Sequence, residues 1–311
     1  MPETETLTAL RPRMVSIAYR MLGSVSEAED VVQDAFLRYH RALVDGTEIE
    51  SPAAYLSTIV TRLSIDLLRS ARVQRETYVG EWFPEPLLTD QGNGDPAERV
   101  ELADSLSVAF LLLLERLSPV ERAVFVLHDV FGYDFEEIAR IVDKSVANCR
   151  QLASRARHHV EADKPRFDAP KRKRKELANR FFSAITDGNL SGLIELLAAD
   201  AAVYGDGGGK VPAWTRPILG ADKVGRLFVG LSRQLKSYGA RIEVREVNGQ
   251  PGAMVRDASG RLNNVFTLDI VDGRVQTIRS VSNPDKLRHL GPLTDIRAVL
   301  RARGHRLRPT Q

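Results

Sequence analysis

The sequence predicts a multidomain fold in which two all-α domains are followed by an α+β domain. Apolar residues recur at helical spacing up to about residue 161, whereas short β-prone runs separated by glycine turns dominate after residue 176. Two stretches rich in proline, glycine or basic residues interrupt these patterns. The predicted parts are a helical domain 7–76, a linker 77–97, a helical domain 98–163, a basic linker 164–175, an α+β domain 176–290 and a basic tail 291–311.

The composition excludes several classes of protein. The 311 residues are 43% apolar, which is enough for real cores and argues against wholesale disorder. A single cysteine, Cys149, excludes an internal disulfide framework and a multi-cysteine metal site, which suits a reducing cytoplasm. We expect a cytoplasmic protein and expect neither a metal nor a cofactor. The longest apolar run, 108–114, is too short to cross a bilayer, and the first thirty residues contain no signal peptide, so we expect no membrane partner.

The net charge is only +3, but the basic residues are clustered. Positive charge is concentrated in residues 55–75, in residues 150–175 and in the tail after residue 295. Such local positive faces indicate a polyanionic partner, although a solvated helix face would explain any single stretch equally well.

The first helical domain is predicted to contain three helices. The first ends at Gly23, and Ser26 followed by Glu29 forms a capping-box pattern for the second. Ser51 precedes Pro52, which suits the first turn of the third helix. Five polar residues of the second helix lie near one face at i, i+3, i+4, i+8 and i+11, a spacing that suits a polar docking surface. They are Asp30, Gln33, Asp34, Arg38 and Arg41.

Residues 134–157 of the second helical domain have the pattern of a helix-turn-helix. Val142 faces inward on the first helix, and Cys149 and Leu152 face inward on the second. Asp143 stands in the turn where glycine is usual, and aspartate tolerates left-handed backbone better than most residues. The outward face of the second helix carries side chains that can contact base edges in a major groove. This face comprises Ser145, Ala147, Asn148, Arg150, Gln151, Ser154 and Arg155. An ordinary helical hairpin with a polar face is the alternative.

Beyond residue 176 the pattern predicts helices followed by a β-meander. The predicted helices are 176–185 and 190–197, and the predicted strands are 241–247, 253–256, 264–271 and 275–281. Asp272-Gly273 is a type I′ hairpin signal between the last two strands. Helices followed by a meander predict an α+β domain.

The amino-terminal half resembles the extracytoplasmic-function (ECF) RNA polymerase sigma factors of the sigma-70 family. Residues 28–43 (AEDVVQDAFLRYHRAL) and 51–70 (SPAAYLSTIVTRLSIDLLRS) are similar to region 2 of that family, and residues 117–157 are similar to region 4. The resemblance implies that the polar face of the second helix binds core RNA polymerase, at the clamp of the largest subunit, and that the outward face of the helix-turn-helix reads the −35 element of promoter DNA. It also implies that the third helix reads the −10 element through Tyr55, Thr58, Arg62, Ile65 and Arg69.

The remainder resembles the cone-shaped, SnoaL-like α+β domain that one group of ECF sigma factors carries. Three motifs support this resemblance: WFPEP at 82–86, DGGGK at 206–210 and NPDKL at 283–287. In that group the fused domain controls the sigma factor, so the resemblance implies a regulatory interface. Its expected members are Trp82, Pro84, Glu85, Pro86, Asp206, Gly207, Gly208, Gly209, Lys210, Asn283, Pro284, Asp285 and Lys286.

Our hypothesis is that Asp206 and Lys210, near Asp285 and Lys286, contact the linker motif and so fix the distance between the two DNA-reading domains. The glycine-rich stretch is not a Walker A loop, because Val211 stands where serine or threonine is required. A merely flexible turn is the alternative reading of that stretch.

Three other functions can be weighed from the residues alone: an enzyme, a ligand-binding domain and a simple repressor. SnoaL-like folds include cyclases and isomerases that use an aspartate or histidine as general acid and base. Here Asp206, Asp269, Asp285 and His289 form no Asp-His pattern at a telling spacing, so we expect no enzyme. A pocket for a small, unidentified ligand in the C-terminal domain stays open. A simple helix-turn-helix repressor would leave the region 2 resemblance unexplained.

Overall fold

The computed structural model describes residues 2–76, 78–90, 105–161, 170–214, 216–237 and 239–295. The chain divides into two compact units, which we call the helical unit (Met1–Thr77 with Ala109–Lys164) and the mixed unit (Tyr78–Val108 with Pro165–Gln311). Most of the predicted basic tail, part of the first linker and the start of the second lie outside the described residues. The mixed unit therefore contains both the linker motif and the C-terminal domain.

The helical unit is built from helices that bury their apolar stripes against one another. Its elements are α1 (Pro2–Leu22), α2 (Val25–Val44), α3 (Pro52–Glu76), α4 (Val108–Leu114, which begins at the unit boundary), α5 (Pro119–Phe125), a π-helical turn (Val126–Val130), α6 (Phe135–Val142) and α7 (Val146–Glu161). The helix-turn-helix is α6 and α7. Buried residues include Met14 and Ile17 of α1, Val60 of α3 and Cys149 of α7.

The helix ends agree with some of the predicted capping and turn residues and differ from others. Ser24, not Ser26, is the N-cap of α2, because its side chain accepts a hydrogen bond from the Glu27 N–H at 3.1 Å. Ser118 begins α5 with a full capping box. Asp143 ends α6 in the left-handed conformation (φ 53°, ψ 58°), so the expectation that aspartate serves in this turn is confirmed.

The mixed unit contains one six-stranded sheet, of order β2-β1-β6-β5-β4-β3, packed against helices. The strands are β1 (Leu197–Asp206), β2 (Ile218–Leu219), β3 (Arg241–Val247), β4 (Gln250–Arg256), β5 (Leu262–Val271) and β6 (Arg274–Val281). The helices are α8 (Lys171–Asp187), α9 (Leu190–Leu196), α10 (Ala221–Ser237) and α11 (Pro284–Leu287). β1 and β6 are parallel, and the remaining pairs are antiparallel. The predicted α+β fold class is confirmed.

The core of the mixed unit lies between the helices and one face of the sheet. Phe228 of α10 packs edge-on between Phe181 of α8 and Phe266 of β5, with ring centroids 5.7 and 5.8 Å apart. Aromatic pairs of this geometry each add about 0.5–1.5 kcal/mol beyond the burial of their area. The hairpin between β5 and β6 turns at Asp272 (φ 49°) and Gly273 (φ 69°), as predicted.

Several elements differ from the sequence-based expectations. β1, β2, α10 and α11 were not anticipated. α8 begins at Lys171, inside the stretch expected to be a basic linker, because lysine and arginine are good helix formers and Pro170 is at the N-cap. In addition, the Arg174 side chain is buried and donates to Gln250 Oε1 at 2.9 Å, which ties this first turn to β4.

Candidate functional site

The predicted docking surface on α2 is a solvent-facing polar strip. Asp30, Gln33, Arg38 and Arg41 are exposed, and Asp34 is half-buried and accepts a hydrogen bond from Arg38 at 2.9 Å. The opposite face of the helix is buried through its apolar residues, which include Val31, Val32 and Ala35. A rigid helix with one polar face in solvent suits recognition by a polar partner.

The second helix of the helix-turn-helix, α7, presents the residues expected on its outer face. Ser145, Ala147, Arg150, Gln151, Ser154 and Arg155 are exposed, and Asn148 is half-buried. Cys149 and Leu152 face the core, at 0% and 7% exposure. Arg150 Nη2 lies 3.6 Å from Glu136 Oε1 and Arg155 Nε lies 3.4 Å from Glu121 Oε1. Both side chains of the Arg150–Glu136 pair are exposed, and exposed ion pairs contribute little to stability, so the Arg150 guanidinium is available to a stronger anion.

The predicted −10-reading face of α3 is only partly on the surface. Tyr55 is half-buried with its ring 5.8 Å from that of Tyr39, Thr58 is half-buried, and Arg69 is exposed beside Asp66. Ile65 differs from the expectation of a strand-tracking surface residue: it is only 6% exposed. Burial of an isoleucine side chain is favourable by about 1.5–3 kcal/mol, which explains its place inside the unit.

Arg62 makes contacts that the sequence did not predict. Its Nε donates to Ile141 O at 2.8 Å and its Nη2 donates to Arg140 O at 2.9 Å. These carbonyls belong to the last turn of α6, where a helix has no internal donor for them. Arg62 therefore acts in this structure as a C-terminal cap of the first helix of the helix-turn-helix.

The linker motif is held by a buried cluster centred on Asp206, which is 0% exposed. Asp206 Oδ1 accepts from Tyr78 Oη at 2.5 Å and from Gly208 N at 3.1 Å. Its Oδ2 accepts from the backbone N–H of Phe83 at 3.0 Å and from Lys286 Nζ at 2.6 Å. One carboxylate thus joins the linker, the glycine-rich loop and the NPDKL motif. We call Asp206, Lys286, Tyr78, Trp82 and Phe83 the linker cluster.

Lys286 is the cation of the linker cluster. Its Nζ lies 4.4 Å from the centroid of the Trp82 ring and 4.7 Å from that of Tyr78, and it also donates to Phe83 O. Two ring faces, a carboxylate and a carbonyl together replace water around the ammonium, as a buried charge requires. Burial, with a further contribution from the hydrogen bond to Asp206, raises the pKa of Tyr78 well above its ordinary value.

The glycine-rich loop needs glycine at two positions. A Cβ on Gly207 would lie 2.5 Å from Val211 O, and one on Gly208 would lie 2.2 Å from Asn283 Nδ2. Gly208 also has a φ of 59°, in the left-handed region. Asn283 donates to Tyr78 Oη at 2.8 Å and caps α11 through the Asp285 N–H. The turn is therefore closely packed against the NPDKL motif, which disfavours the merely flexible reading.

The remaining motif residues lie around the same cluster. Pro84, Glu85 and Pro86 are buried, Trp82, Gly209 and Pro284 are half-buried, and Lys210 forms an exposed ion pair with Asp285. His289 Nε2 lies 2.7 Å from Pro86 O, and its Nδ1 lies 3.7 Å from Glu85 Oε2. The structure thus brings Asp206 and Lys286 to the linker and pairs Lys210 with Asp285.

Beyond its motif, the linker adds to the edge of the sheet. Asn248 N donates to Leu87 O at 2.7 Å, Leu87 N donates to Asn248 Oδ1 at 3.0 Å, and Thr89 N donates to Glu246 O at 3.0 Å. Leu88 bridges Val247 of β3 in antiparallel register. Sequence reasoning missed this pairing, which extends an edge strand by main-chain hydrogen bonds.

An ion pair lies next to this backbone pairing, at the following linker residue. Arg245 binds Asp90 through both carboxylate oxygens, at 2.5 and 2.9 Å. This hydrogen-bonded contact lowers the pKa of Asp90 and raises that of Arg245. Such bidentate geometry is stronger and more specific than a single contact.

Two features are absent from the part of the chain that the structure describes. No helix there has the length and apolarity that a membrane span requires. Nor do three or more histidine, cysteine, aspartate or glutamate side chains gather there as metal ligands would.

Comparisons with known proteins cover nearly the whole chain. A family description of Sigma-70 region 2 matches residues 6–73, and one of Sigma-70, region 4 matches residues 107–160. The ECF RNA polymerase sigma factor SigJ of Mycobacterium tuberculosis is 38% identical over 97% of this chain and 98% of its own length. The probable ECF RNA polymerase sigma factor SigI of the same species is 32% identical over 92% of this chain and 95% of its own length. The crystal structure of SigJ superposes with a TM-score of 0.71 at 36% identity, covering 94% of this chain and 99% of that one. This chain belongs to the ECF RNA polymerase sigma factors of the sigma-70 family.

Proposed function

We propose that this chain binds core RNA polymerase, directs it to promoters by reading two DNA elements, and is regulated by its C-terminal domain through the linker. Membership of the sigma factor family supports the first two parts. The observation that carries the third is the linker cluster, in which Asp206 and Lys286 bind Phe83 through its N–H and its carbonyl. Like its sigma factor relatives, the protein acts as a specificity subunit and polymerase performs the chemistry.

The polar strip of α2 is the proposed contact with polymerase. It carries two acidic residues, Asp30 and Asp34, followed one to three turns later by two basic residues, Arg38 and Arg41. Such a surface favours a partner with complementary charges and a salt-sensitive association. The partner surface that the family resemblance implies is the clamp of the largest subunit.

The proposed promoter contacts lie on α3 and α7. Arg150 and Gln151 on α7 are exposed and can make paired hydrogen bonds with base edges, as a −35 reader requires. On α3, Tyr55 offers an aromatic face and Arg62 and Arg69 offer positive charge, a combination that suits a single strand of the −10 element.

The linker is the proposed route of regulation. It joins α3 to the region 4 helices along the chain, and residues 78–90 are held by the C-terminal domain. As a free extended chain these residues would span up to roughly 45 Å. Docking removes that freedom, so the C-terminal domain restricts the separations that the two DNA readers can reach.

A small ligand of the C-terminal domain stays a prediction, and a cleft of about 530 Å³ supports it. Lys210 and Asp285 line this cleft beside Leu262, Leu287 and Arg288. Because Lys210 and Asp285 also belong to the regulatory motifs, a molecule bound there would act on the same loops that hold the linker.

The experiment that tests the proposal is run-off transcription with core RNA polymerase on a promoter library, with and without the full chain. Asp206→Ala, which disrupts the linker cluster, is compared with Lys210→Ala, which disrupts an exposed ion pair with Asp285. Point variants are preferable to truncation, because Phe83, Pro84 and Pro86 would otherwise lose the surface that buries them.

Transcripts that require the added chain would establish the sigma function. A change in yield or promoter choice for Asp206→Ala, but not for Lys210→Ala, would establish control through the linker. If folded protein produced no transcript from a broad library, the sigma assignment would fail. If both variants matched the unaltered chain, regulation through the linker cluster would fail while the sigma function stood.

A further inference from the structure

A cavity of about 100 Å³ lies in the mixed unit between the start of α8, the edge strand β3 and the docked end of the linker. It shares no lining residue with the larger cleft beside Lys210 and Asp285. Its apolar wall contains Ala178, Val244 and Pro251. The volume is several times the space that one water molecule requires, so the cavity has room for a small ligand.

The charged residues that line this cavity carry an excess of positive charge, and we call it the basic cavity. They have a net charge of +2 and are Lys171, Arg174, Lys175, Arg245, Asp90 and Glu246. Three of the four cations lie on one face of α8, at i, i+3 and i+4, and the fourth belongs to β3. A surface that gathers cations around a small space suits an anionic ligand.

The start of α8 is an unfavourable place for this much positive charge. Residues 171–175 are all basic, and the first turn contains no acidic residue. A helix N-terminus carries a partial positive charge, and like charges four residues apart, such as Lys171 and Lys175, repel each other. The N-cap, Pro170, supplies no side-chain acceptor for the N–H groups of this turn. An anion in the basic cavity would relieve this repulsion.

Both carboxylates that line the basic cavity are already engaged. Arg245 donates to the two oxygens of Asp90 at 2.5 and 2.9 Å. Glu246 accepts from Thr89 Oγ1 at 3.0 Å through Oε1, and its Oε2 lies 2.6 Å from Lys171 Nζ. The wall of the cavity therefore also holds the last two described residues of the docked linker, Thr89 and Asp90.

Arg174 and Lys175 provide the charge that a ligand would meet. Arg174 is only 9% exposed, and the hydrogen bond that it donates to Gln250 Oε1 goes to a neutral amide. Lys175 is exposed and forms no ion pair with any residue that the structure describes. A guanidinium presents its donors in a fixed fork that matches phosphate oxygens, and lysine adds a flexible point charge.

We propose that the basic cavity binds a small phosphate-class anion, either inorganic or the phosphate group of a phosphorylated small molecule, and that this anion competes with Asp90 for Arg245. Binding therefore loosens the docked end of the linker at Thr89 and Asp90. The effect on the linker rests on the proposed function, whereas the binding itself does not.

The competition can be measured from both sides. The anion and the Asp90 carboxylate are both negative and both use the Arg245 guanidinium, so each disfavours the other. By thermodynamic linkage, the factor by which the anion weakens this docking equals the factor by which the docking weakens the anion. Removal of the Asp90 charge should consequently strengthen anion binding.

The test is isothermal titration calorimetry of the full chain with inorganic phosphate, inorganic pyrophosphate and glycerol 3-phosphate, at about 0.15 M salt to screen exposed charges. Lys175→Gln is compared with Lys173→Gln, because both residues are exposed in the same basic run but only Lys175 lines the cavity. Asp90→Asn is compared with Asp272→Asn, which changes the charge equally in an exposed turn whose left-handed backbone asparagine tolerates. Circular dichroism verifies that all variants fold.

We expect saturable binding of one anion per chain. Lys175→Gln should weaken it about fivefold or more, and Lys173→Gln should change it by less than about twofold. Asp90→Asn should strengthen it about fivefold or more, and Asp272→Asn should leave it unchanged. Tighter binding of inorganic phosphate or of glycerol 3-phosphate tells which of the two sources the cavity prefers, and either supports the site.

Hydrogen exchange in the same samples tests the competition with Asp90. Saturation with the best of the three anions should accelerate exchange at the Thr89 amide of the unaltered chain, while the Phe83 amide, which Asp206 holds, stays protected. In Asp90→Asn the anion should not accelerate exchange at Thr89 further, because the competing carboxylate is gone.

Absence of saturable binding for all three anions would overturn the site. Equal weakening by Lys175→Gln and Lys173→Gln would also overturn it, because the whole basic run would then attract anions without the cavity. Unaltered exchange at Thr89 in the presence of bound anion, or unaltered affinity in Asp90→Asn, would overturn the competition. No step uses polymerase, so failure of this site is distinguishable from failure of the proposed function, which transcription decides.

Discussion

Replacement of Asp206 by alanine should release the linker from the C-terminal domain. The carboxylate accepts hydrogen bonds from Tyr78, Phe83, Gly208 and Lys286, and it is the anion beside a lysine that is only 9% exposed. Removal of one partner of a buried ion pair typically costs about 3–5 kcal/mol, because the remaining charge is left without compensation. The linker should therefore open about two to four orders of magnitude more often than in the unaltered chain.

Hydrogen exchange at single amides measures this opening directly. Phe83 N–H donates to the Asp206 side chain and Thr89 N–H donates to Glu246 O, so both report on linker docking. In Asp206→Ala their exchange should accelerate by that factor, while amides of the central strands, such as Leu268, stay protected. Lys210→Ala disrupts an exposed ion pair with Asp285, which is worth at most about 1 kcal/mol, and should change exchange by less than about fivefold.

Unchanged exchange at Phe83 and Thr89 in a folded Asp206→Ala protein would refute the reasoning. It would mean that the backbone pairing at the sheet edge holds the linker without the buried cluster. Equal acceleration in both variants would also refute it, because the exposed pair would then matter as much as the buried one.

Further predictions concern the sheet edge, the recognition helix and pH. Asn248→Ala should raise exchange at the Leu87 amide by about tenfold, because the Asn248 side chain accepts that hydrogen bond; no change would exclude this role. Arg150→Ala should weaken binding to the preferred −35 sequence by about 1–3 kcal/mol per lost base contact, measured by competition between promoters. An unaltered ranking of promoters would contradict the placement of Arg150 on the DNA-facing side of α7. The hydrogen bond to Arg245 lowers the pKa of Asp90 in the folded chain. The stability that Asp90 contributes is therefore fully present above the ordinary carboxyl pKa and is lost as the pH falls through the lowered pKa of the folded state. Exchange measured down a pH series should show the linker loosening only at the acid end in the unaltered chain and already at neutral pH in Asp90→Asn.

The sequence predicted the order of the domains and the helix-turn-helix because both depend on local periodicity. Only the family resemblance allowed the prediction that the three short motifs lie together, because residues 82–86 and 283–287 are far apart in the chain. The pairing of Leu88 with Val247 could not be predicted, because main-chain hydrogen bonds between distant segments leave no side-chain pattern.

The sequence analysis missed helix α10 and strand β1 for different reasons. The helix α10 was predictable in principle, since Val224 and Phe228 recur at helical spacing. The strand β1 was not, because its alanines and aspartates have low β-propensity and its pairing with β6 imposes the conformation. The engagement of Arg62 depends on how the region 2 and region 4 helices pack against each other, which periodicity within either one does not record.

The pairing of the linker with β3 also determines what undocking would expose. β3 is the last strand in the sheet order, and along Leu87–Thr89 the linker occupies its outer main-chain groups. Once the linker leaves, those N–H and C=O groups become an open template for any other extended chain. An undocked protein would therefore be prone to self-association until the strand edge is covered again. That exposed edge would then also limit how long a released form could persist alone in solution.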